Sequence, residues 1–354
     1  MSVVTEEGQP GGSGLGEPRD EVVPLDRLPL AGEGAGAVTD LSRGEPDGVR
    51  RAVPPGFEGL MGVRRPASGG WRRAVARLSG GLVAPGPSGR ERRRLEQARR
   101  ARTPIQGRCA LVAVLARKGG VGKSTVTALL ASTFGLLRAD AVVALDAATE
   151  VGNLADRLVV EGAWLTGRDL ARAGEVAGRA DISRYTCQDP QARLEVVAAP
   201  LEGDEILTRE EAEQLLGVLA RTHNLVVADV GSTLAEPATA LVVERAEQAV
   251  VVTTPAADAV RLACRTLEHL ERVRGAGFLA RTCVVVNAAP DAATAERVGR
   301  VFAERGLAWL PVRFDRHLHL GGRFDWALIA PGVADDYLAL AGLVGARFRV
   351  EGTA

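Results

Sequence analysis

Lys118-Gly119-Gly120-Val121-Gly122-Lys123-Ser124-Thr125 is the stretch whose reading decides the fold. An apolar run over 110–116 leads into it, and a helical segment over 123–138 leads away, so the loop joins a strand to the first turn of a helix. Gly119, Gly120 and Gly122 let the backbone curl until several N–H groups point at one spot, with Val121 between them and no Cβ in the way. The opening helix adds the positive end of its dipole at the same point. A polyphosphate is the ligand such a cradle takes. Lys123 is expected to reach the β and γ phosphates, the Ser124 hydroxyl to ligate Mg²⁺, and Thr125 to lie near the α phosphate. The expected ligands are therefore ATP and Mg²⁺.

Outward from the loop, apolar runs alternate with helical segments. The runs fall at 110–116, 141–145, 194–199, 225–228, 249–253 and 282–287, with a shorter one at 309–312. Each is rich in Val, Leu and Ala on both faces, as a buried parallel strand should be. Between and after them, helices are expected at 123–138, 209–221, 234–247, 258–274, 291–305 and 334–347. This alternation predicts an α/β fold, a doubly wound and mostly parallel sheet, over residues 107–350.

The flanking sequence differs in kind. Residues 1–66 are rich in Gly, Pro and acidic side chains, the composition of a disordered leader. Residues 67–106 switch sign to form an arginine-rich linker with short helices. Trp71-Arg72-Arg73-Ala74-Val75-Ala76-Arg77-Leu78 fits a short amphipathic helix, and 90–102 is helical by propensity, with Glu96 and Arg100 at i,i+4 and Pro104 as its stop.

Composition narrows the function. The 354-residue chain has zero formal net charge, which argues against a uniformly basic nucleic-acid binder. Cys109, Cys187, Cys264 and Cys283 are scattered and form no CxxC pair, so a reducing cytoplasm is the expected compartment. No apolar run reaches the roughly 18 residues of a membrane span, and the N-terminus lacks the features of a signal peptide. Of 44 basic residues only Lys118 and Lys123 are lysine. Arginine serves wherever a generic cation will do, and a compact, flexible ammonium is kept for the loop alone.

The strict phosphate-loop pattern GxxxxGKS would put glycine at 117, where this chain has Arg117 followed by a second lysine. KGGxGK[ST] resembles the deviant Walker A motif of the MinD/ParA family, the SIMIBI-type P-loop ATPases. That resemblance implies a nucleotide-sandwich homodimer in which Lys118 acts across the interface on the partner's phosphates, stabilising transition-state charge as an arginine finger does. It also gives Asp229, ending the 225–228 run, the look of a Walker B carboxylate on Mg²⁺. Val230-Gly231-Ser232-Thr233 looks like switch II, Asn287 stands where the family reads adenine, and Pro311 with the segment through Asp315 resembles the adenine-flanking loop. Asp146 matches the first switch I aspartate, which organises magnesium. The stretches Ala144-Leu145-Asp146-Ala147, Gly152-Asn153-Leu154-Ala155-Asp156-Arg157-Leu158 and Phe314-Asp315-Arg316-His317 resemble, more narrowly, MinD-like proteins associated with actinobacterial type VII (ESX) secretion.

One position departs from the family. Its switch I carries Asp-x-Asp, the second aspartate orienting the attacking water, and here that position is Ala148. A methyl group polarises no water, and a missing acid or base costs about 10²–10⁴ in rate. Glu150 is the nearest substitute.

Three readings follow: an ATP-dependent dimerising switch ATPase with Lys118, Lys123 and Asp146 in the catalytic machinery and a secretion or division protein as partner; a nucleotide-binding scaffold with little turnover; and a ParA-like partitioning ATPase whose 90–102 arginines contact DNA phosphates. A solvated helix packed beside the domain is the plainer reading of 90–102. Peripheral contact with the inner face of the membrane would fall to the Trp71 segment. Tyr337 to Phe348 reads as core packing, and His317 and His319 as exposed loop histidines.

Overall fold

The seven apolar runs become strands of one sheet, to which two short strands are added. Among the described residues the strands are β1 (Ala110–Leu115), β2 (Val142–Ala147), β3 (Glu161–Gly162), β4 (Cys187–Asp189), β5 (Leu194–Val197), β6 (Leu225–Val230), β7 (Gln248–Thr253), β8 (Cys283–Ala289) and β9 (Ala308–Arg313), of which β3 and β4 are not among those expected from sequence. The computed structural model describes Phe57 and residues 87–105, 109–147, 154–158, 161–162, 165–174, 176, 178–189, 191–199 and 207–348, all within one compact unit spanning Arg50–Ala354. The expectations for the leader (Phe57 apart), the Trp71 segment, Ala148 and Glu150 lie outside the described residues.

The order across the sheet is β3-β4-β5-β2-β6-β1-β7-β8-β9. From β5 to β9 every pairing is parallel, and β3 and β4 add an antiparallel edge. In β1, β2, β5, β6 and β7 every residue is buried, because helices cover both faces. β9 departs from that expectation. It is an edge strand and is mostly half-buried.

Among the described residues the helices are α1 (Gly89–Ala101), α2 (Lys123–Leu137), α3 (Leu154–Arg157), α4 (Gly167–Arg172), α5 (Arg179–Ile182), α6 (Arg209–Thr222), α7 (Pro237–Arg245), α8 (Ala257–Arg274), α9 (Ala276–Leu279), α10 (Ala292–Ala303), α11 (Arg316–His319) and α12 (Pro331–Gly345). Two starts differ from the sequence reading for one reason. α7 begins at Pro237 rather than 234, and α12 at Pro331 rather than 334, because proline's missing N–H costs nothing in a first turn and its φ is already helical.

Two apolar cores result, one on each face of the sheet. α1, α2 and α12 contribute to one, α6, α7, α8 and α10 to the other. α2 is buried from Thr125 to Leu137 without a solvent face, as expected of a helix apolar all round. α12 packs on it through Tyr337, Leu338, Ala341 and Val344, which is the core role expected of that segment. Among the described residues no helix is long and apolar enough to cross a membrane.

The arginine-rich helix docks on the domain. α1 opens with a capping box, in which the Glu91 N–H donates to Ser88 Oγ and the Ser88 N–H to Glu91 Oε2. It runs parallel to α12, burying Ala98 and Ala101, with Arg94 paired to Asp335 at 3.0 Å. The backbones come so close that a Cβ on Gly345 would lie 2.5 Å from the Arg100 carbonyl oxygen and 2.6 Å from Ala101 Cα. Phe57 meets Trp326 edge-on, ring centroids 5.0 Å apart, and is fully buried.

The antiparallel edge carries a titration. Asp189 in β4 is 3% exposed and accepts from the Gln191 N–H at 2.9 Å. Burial pushes its carboxyl up to about 6, against the lowering effect of hydrogen bonds from Gln191, Ala192 and Ser132. A raised carboxyl contributes stability present below its unfolded value, near 4, and lost as pH rises through about 6. Asp189→Asn removes that loss. The expected result is a folding free energy higher by about 1–3 kcal/mol at pH 7.5, with no gain at pH 4, read from urea unfolding at both values. Equal effects at the two pH values would mean that Asp189 is ionised at little cost.

Candidate functional site

The site grows from the carboxyl ends of the central strands, where an open α/β sheet places its crevice. β1 runs into the glycine loop, and α2 begins at its end. Gly120 (φ +75°) and Gly122 (φ +87°) are left-handed, a conformation that L side chains adopt only with strain. Gly122 is also the N-cap of α2, and among the described residues no side chain caps that helix end by a hydrogen bond, which leaves its N–H groups for a phosphate.

Three of the expected residues converge below the loop. Asp146 and Asp229 are register partners on adjacent β2 and β6, 2% and 1% exposed. Lys123 Nζ donates to Asp229 Oδ1 at 2.7 Å, and the Thr127 hydroxyl, one helical turn on, donates to the same oxygen at 3.0 Å. Asp146 Oδ2 accepts from the Leu154 N–H at 3.1 Å, which ties the start of α3 to the end of β2.

Lys118 is held elsewhere. Its ammonium pairs with Asp258 in the first turn of α8, and that contact holds the Asp258 carboxyl below its usual range. Both partners are partly exposed, with side chains 34% and 51% accessible. The first lysine of the loop is thus engaged with Asp258, and the second with Asp229.

Asn287 lies against the loop. Its Nδ2 donates to the Val121 carbonyl at 2.8 Å, and a Cβ on Gly122 would come within 2.3 Å of that nitrogen. A register irregularity between Val286 and Ala289, with Ala288 at φ +53°, turns Asn287 out of the strand direction. Pro311 sits inside β9 opposite Val286, two residues short of the cleft wall that Arg313, Phe314 and Asp315 form.

Those residues border a cleft beside the loop, about 170 Å³ in volume, walled also by Gly120, Val121, Gly122, Thr125, Arg157 and Tyr337. Asp315 braces it by accepting from the N–H groups of His317, Leu318 and Ala330 at 2.9, 3.2 and 2.9 Å. His317 is not a free loop side chain. It is half-buried, and its Nε2 accepts from the Asp325 N–H at 2.9 Å. Arg157, Tyr337, Thr127 and Asp258 were not singled out from sequence. The motif at 152–158 contains Arg157, but only the packing brings it to the loop.

The donor set fits magnesium and a nucleotide. Ser124, Asp146 and Asp229 offer the hard oxygens Mg²⁺ prefers. Among the described residues no group of three or more His, Cys, Asp or Glu comes together, so a divalent ion would complete its shell with phosphate oxygens and water. Lys123, the glycine loop and Thr125 would hold the phosphates.

Comparison with known proteins places this geometry. No family model matches the chain. The ESX-1 secretion-associated protein EspI of Mycobacterium tuberculosis is 30% identical over 298 residues, covering 80% of this chain, and the chain spans 43% of that relative's length. Three solved structures share the fold. A ParA family ATPase from Chlorobium tepidum covers 66% of this chain and is itself covered to 98%, with 18% identity and a TM-score of 0.56. McdA from Cyanothece in complex with ATP gives 69%, 99%, 14% and 0.53, and the septum site-determining protein MinD from Pyrococcus horikoshii, complexed with Mg-ADP, gives 66%, 94%, 18% and 0.52. In fold, therefore, this chain belongs with the ParA and MinD ATPases, and in sequence it is similar across four-fifths of its length to the ESX-1 secretion-associated protein EspI.

Proposed function

We propose that the chain is an ATP-dependent, Mg²⁺-dependent dimerising switch that serves a type VII secretion system, acting in the cytoplasm through a protein partner. The observation that carries this reading is the division of the two lysines. Lys123 is bound to the Walker B position Asp229 inside the subunit, while Lys118 lies at the surface on a partly exposed carboxylate. A lysine so placed can exchange Asp258 for the phosphates of a facing subunit by rotating its side chain. The secretion link rests on the similarity to EspI.

Size-exclusion chromatography with ATP against ADP tests the switch. The wild type should elute as a dimer with Mg-ATP and as a monomer with Mg-ADP. Lys118→Ala should stay monomeric in both, while its own affinity for ATP changes by less than about fivefold, because an exposed ion pair contributes little. An ATP-dependent dimer that survives Lys118→Ala would refute the trans role.

A second reading has its own observation. Ala148 stands at the water-orienting position, which favours a scaffold in which bound ATP is held with little turnover. Multiple-turnover phosphate release from the wild type would exclude it. The DNA-partitioning reading draws less support, because Arg90 and Arg94 are paired with Asp335, and Arg99 and Arg100 with Glu96.

A further inference from the structure

Among the described residues the two buried arginines are well satisfied, and the half-buried Arg157 is not. Arg138 bonds Asp140 and the carbonyls of Ala101 and Thr103, and Arg168 bonds Glu211. Arg157 has no such set. Its Nη1 donates to the Gly321 carbonyl at a long 3.3 Å, and its Nε is buried without a hydrogen-bond partner. A guanidinium has five N–H donors, and the inward-facing one, Nε, is the one left without a partner among the described residues. Burial lowers its pKa, opposed by the more distant carboxylates of Asp229 and Asp156. A buried donor without an acceptor carries a desolvation cost that an anion in the cleft would offset.

The location names the anion. Arg157 lines the same cleft as Gly120, Gly122 and Thr125. Its backbone is fixed by the Leu154 bond to Asp146, by full burial of Leu154 and Leu158, and by the Phe324 N–H donating to the Arg157 carbonyl at 2.9 Å. Tyr337, lining the same cleft, has a hydroxyl that is likewise buried without a partner. A polar, under-satisfied lining beside a phosphate loop is built for a charged, oxygen-rich ligand.

We propose that Arg157 is a nucleotide-binding residue that supplies a cation in cis to the phosphates of ATP from the cleft beside the glycine loop. The polyphosphate is then held by both Lys123 and Arg157, independently of any second subunit. This inference rests on the nucleotide-binding reading above.

The test uses the full chain and a fluorescent ATP analogue with Mg²⁺, titrated into the wild type, Arg157→Ala and Arg157→Lys, with adenosine as competitor. Arg157→Ala should weaken ATP by about 10- to 100-fold, the range for a charge-assisted hydrogen bond. It should leave the adenosine competition constant unchanged, and the melting temperature without nucleotide should not fall. Arg157→Lys, which keeps the charge, should fall between. ATP affinity equal to wild type in Arg157→Ala overturns this inference alone, and so does an equal loss for ATP and adenosine. Absence of ATP binding by the wild type overturns it together with the proposed function. Should Arg157→Ala fail to fold, the charge-removing Arg157→Gln decides: ATP affinity equal to wild type there overturns the inference, and a loss of about tenfold or more for ATP with adenosine unchanged supports it.

Discussion

Lys123→Met should abolish tight nucleotide binding and also lower the folding free energy by about 3–5 kcal/mol. The second effect distinguishes this site from a loop lysine that waits in solvent. Asp229 is 1% exposed, and its Oδ1 is shared by Lys123 Nζ and the Thr127 hydroxyl. Removal of the ammonium leaves a carboxylate at the end of a central strand, beside Asp146 in register, with a hydroxyl donor in place of a counter-charge. Urea unfolding of the nucleotide-free protein measures the loss. The double variant Lys123→Met, Asp229→Asn should recover most of the stability and none of the binding, since it removes the orphaned charge without restoring the phosphate ligand. A single variant as stable as the wild type would mean that Asp229 does not depend on Lys123.

Ala148→Asp should raise steady-state phosphate release by about 10²-fold or more. Asp146 stands at the end of β2, buried and bonded to the start of α3, at the position the proposed reading gives to the magnesium side of switch I. Two residues on, the family's second aspartate is replaced by a methyl group. Restoring the carboxylate supplies the group that orients water, and little else need change. Phosphate release under saturating Mg-ATP is the measurement, with Lys118→Ala in the same background as control. An unchanged rate would show that Ala148 does not occupy the water-orienting position. If Glu150 fills that role instead, the wild type turns over by itself and Glu150→Gln stops it.

Much of this architecture is written locally. β1, the glycine loop and α2 are adjacent in sequence, so the apolar run, the left-handed glycines and the GKS start are all read from one short stretch. The six principal strand runs are legible for the same reason, since a strand buried on both faces must be apolar throughout. β4 is not. Cys187-Gln188-Asp189 has no strand pattern of its own, and it is extended because β5 offers it an edge. The docking of α1 escapes the sequence in another way. Its arginines announce charge, but what seats the helix is the close approach of Gln97 to Gly342 and of Arg100 and Ala101 to Gly345, about 240 residues away. The capping box at Ser88 and Glu91, which the reading of 90–102 by propensity does not include, sets where that helix starts. Within the site, Lys123, Asp146 and Asp229 are legible because each ends or follows a strand of the central sheet. Arg157 and Tyr337 come together only when the chain after β9 folds back over α3, a contact no local pattern encodes.

The two ion-paired lysines have a practical corollary. Every side-chain amine in the chain belongs to the phosphate loop, because the other basic residues are arginines. Amine acylation, so often indiscriminate, becomes on this protein a chemistry of two addresses, apart from the terminal amine. One address sits on a half-open surface contact and the other against a buried carboxylate, with side chains 34% and 16% accessible. Their relative rates of acylation therefore report directly on what occupies the loop, and the substitution of arginine for lysine everywhere else has made the chain its own site-selective probe.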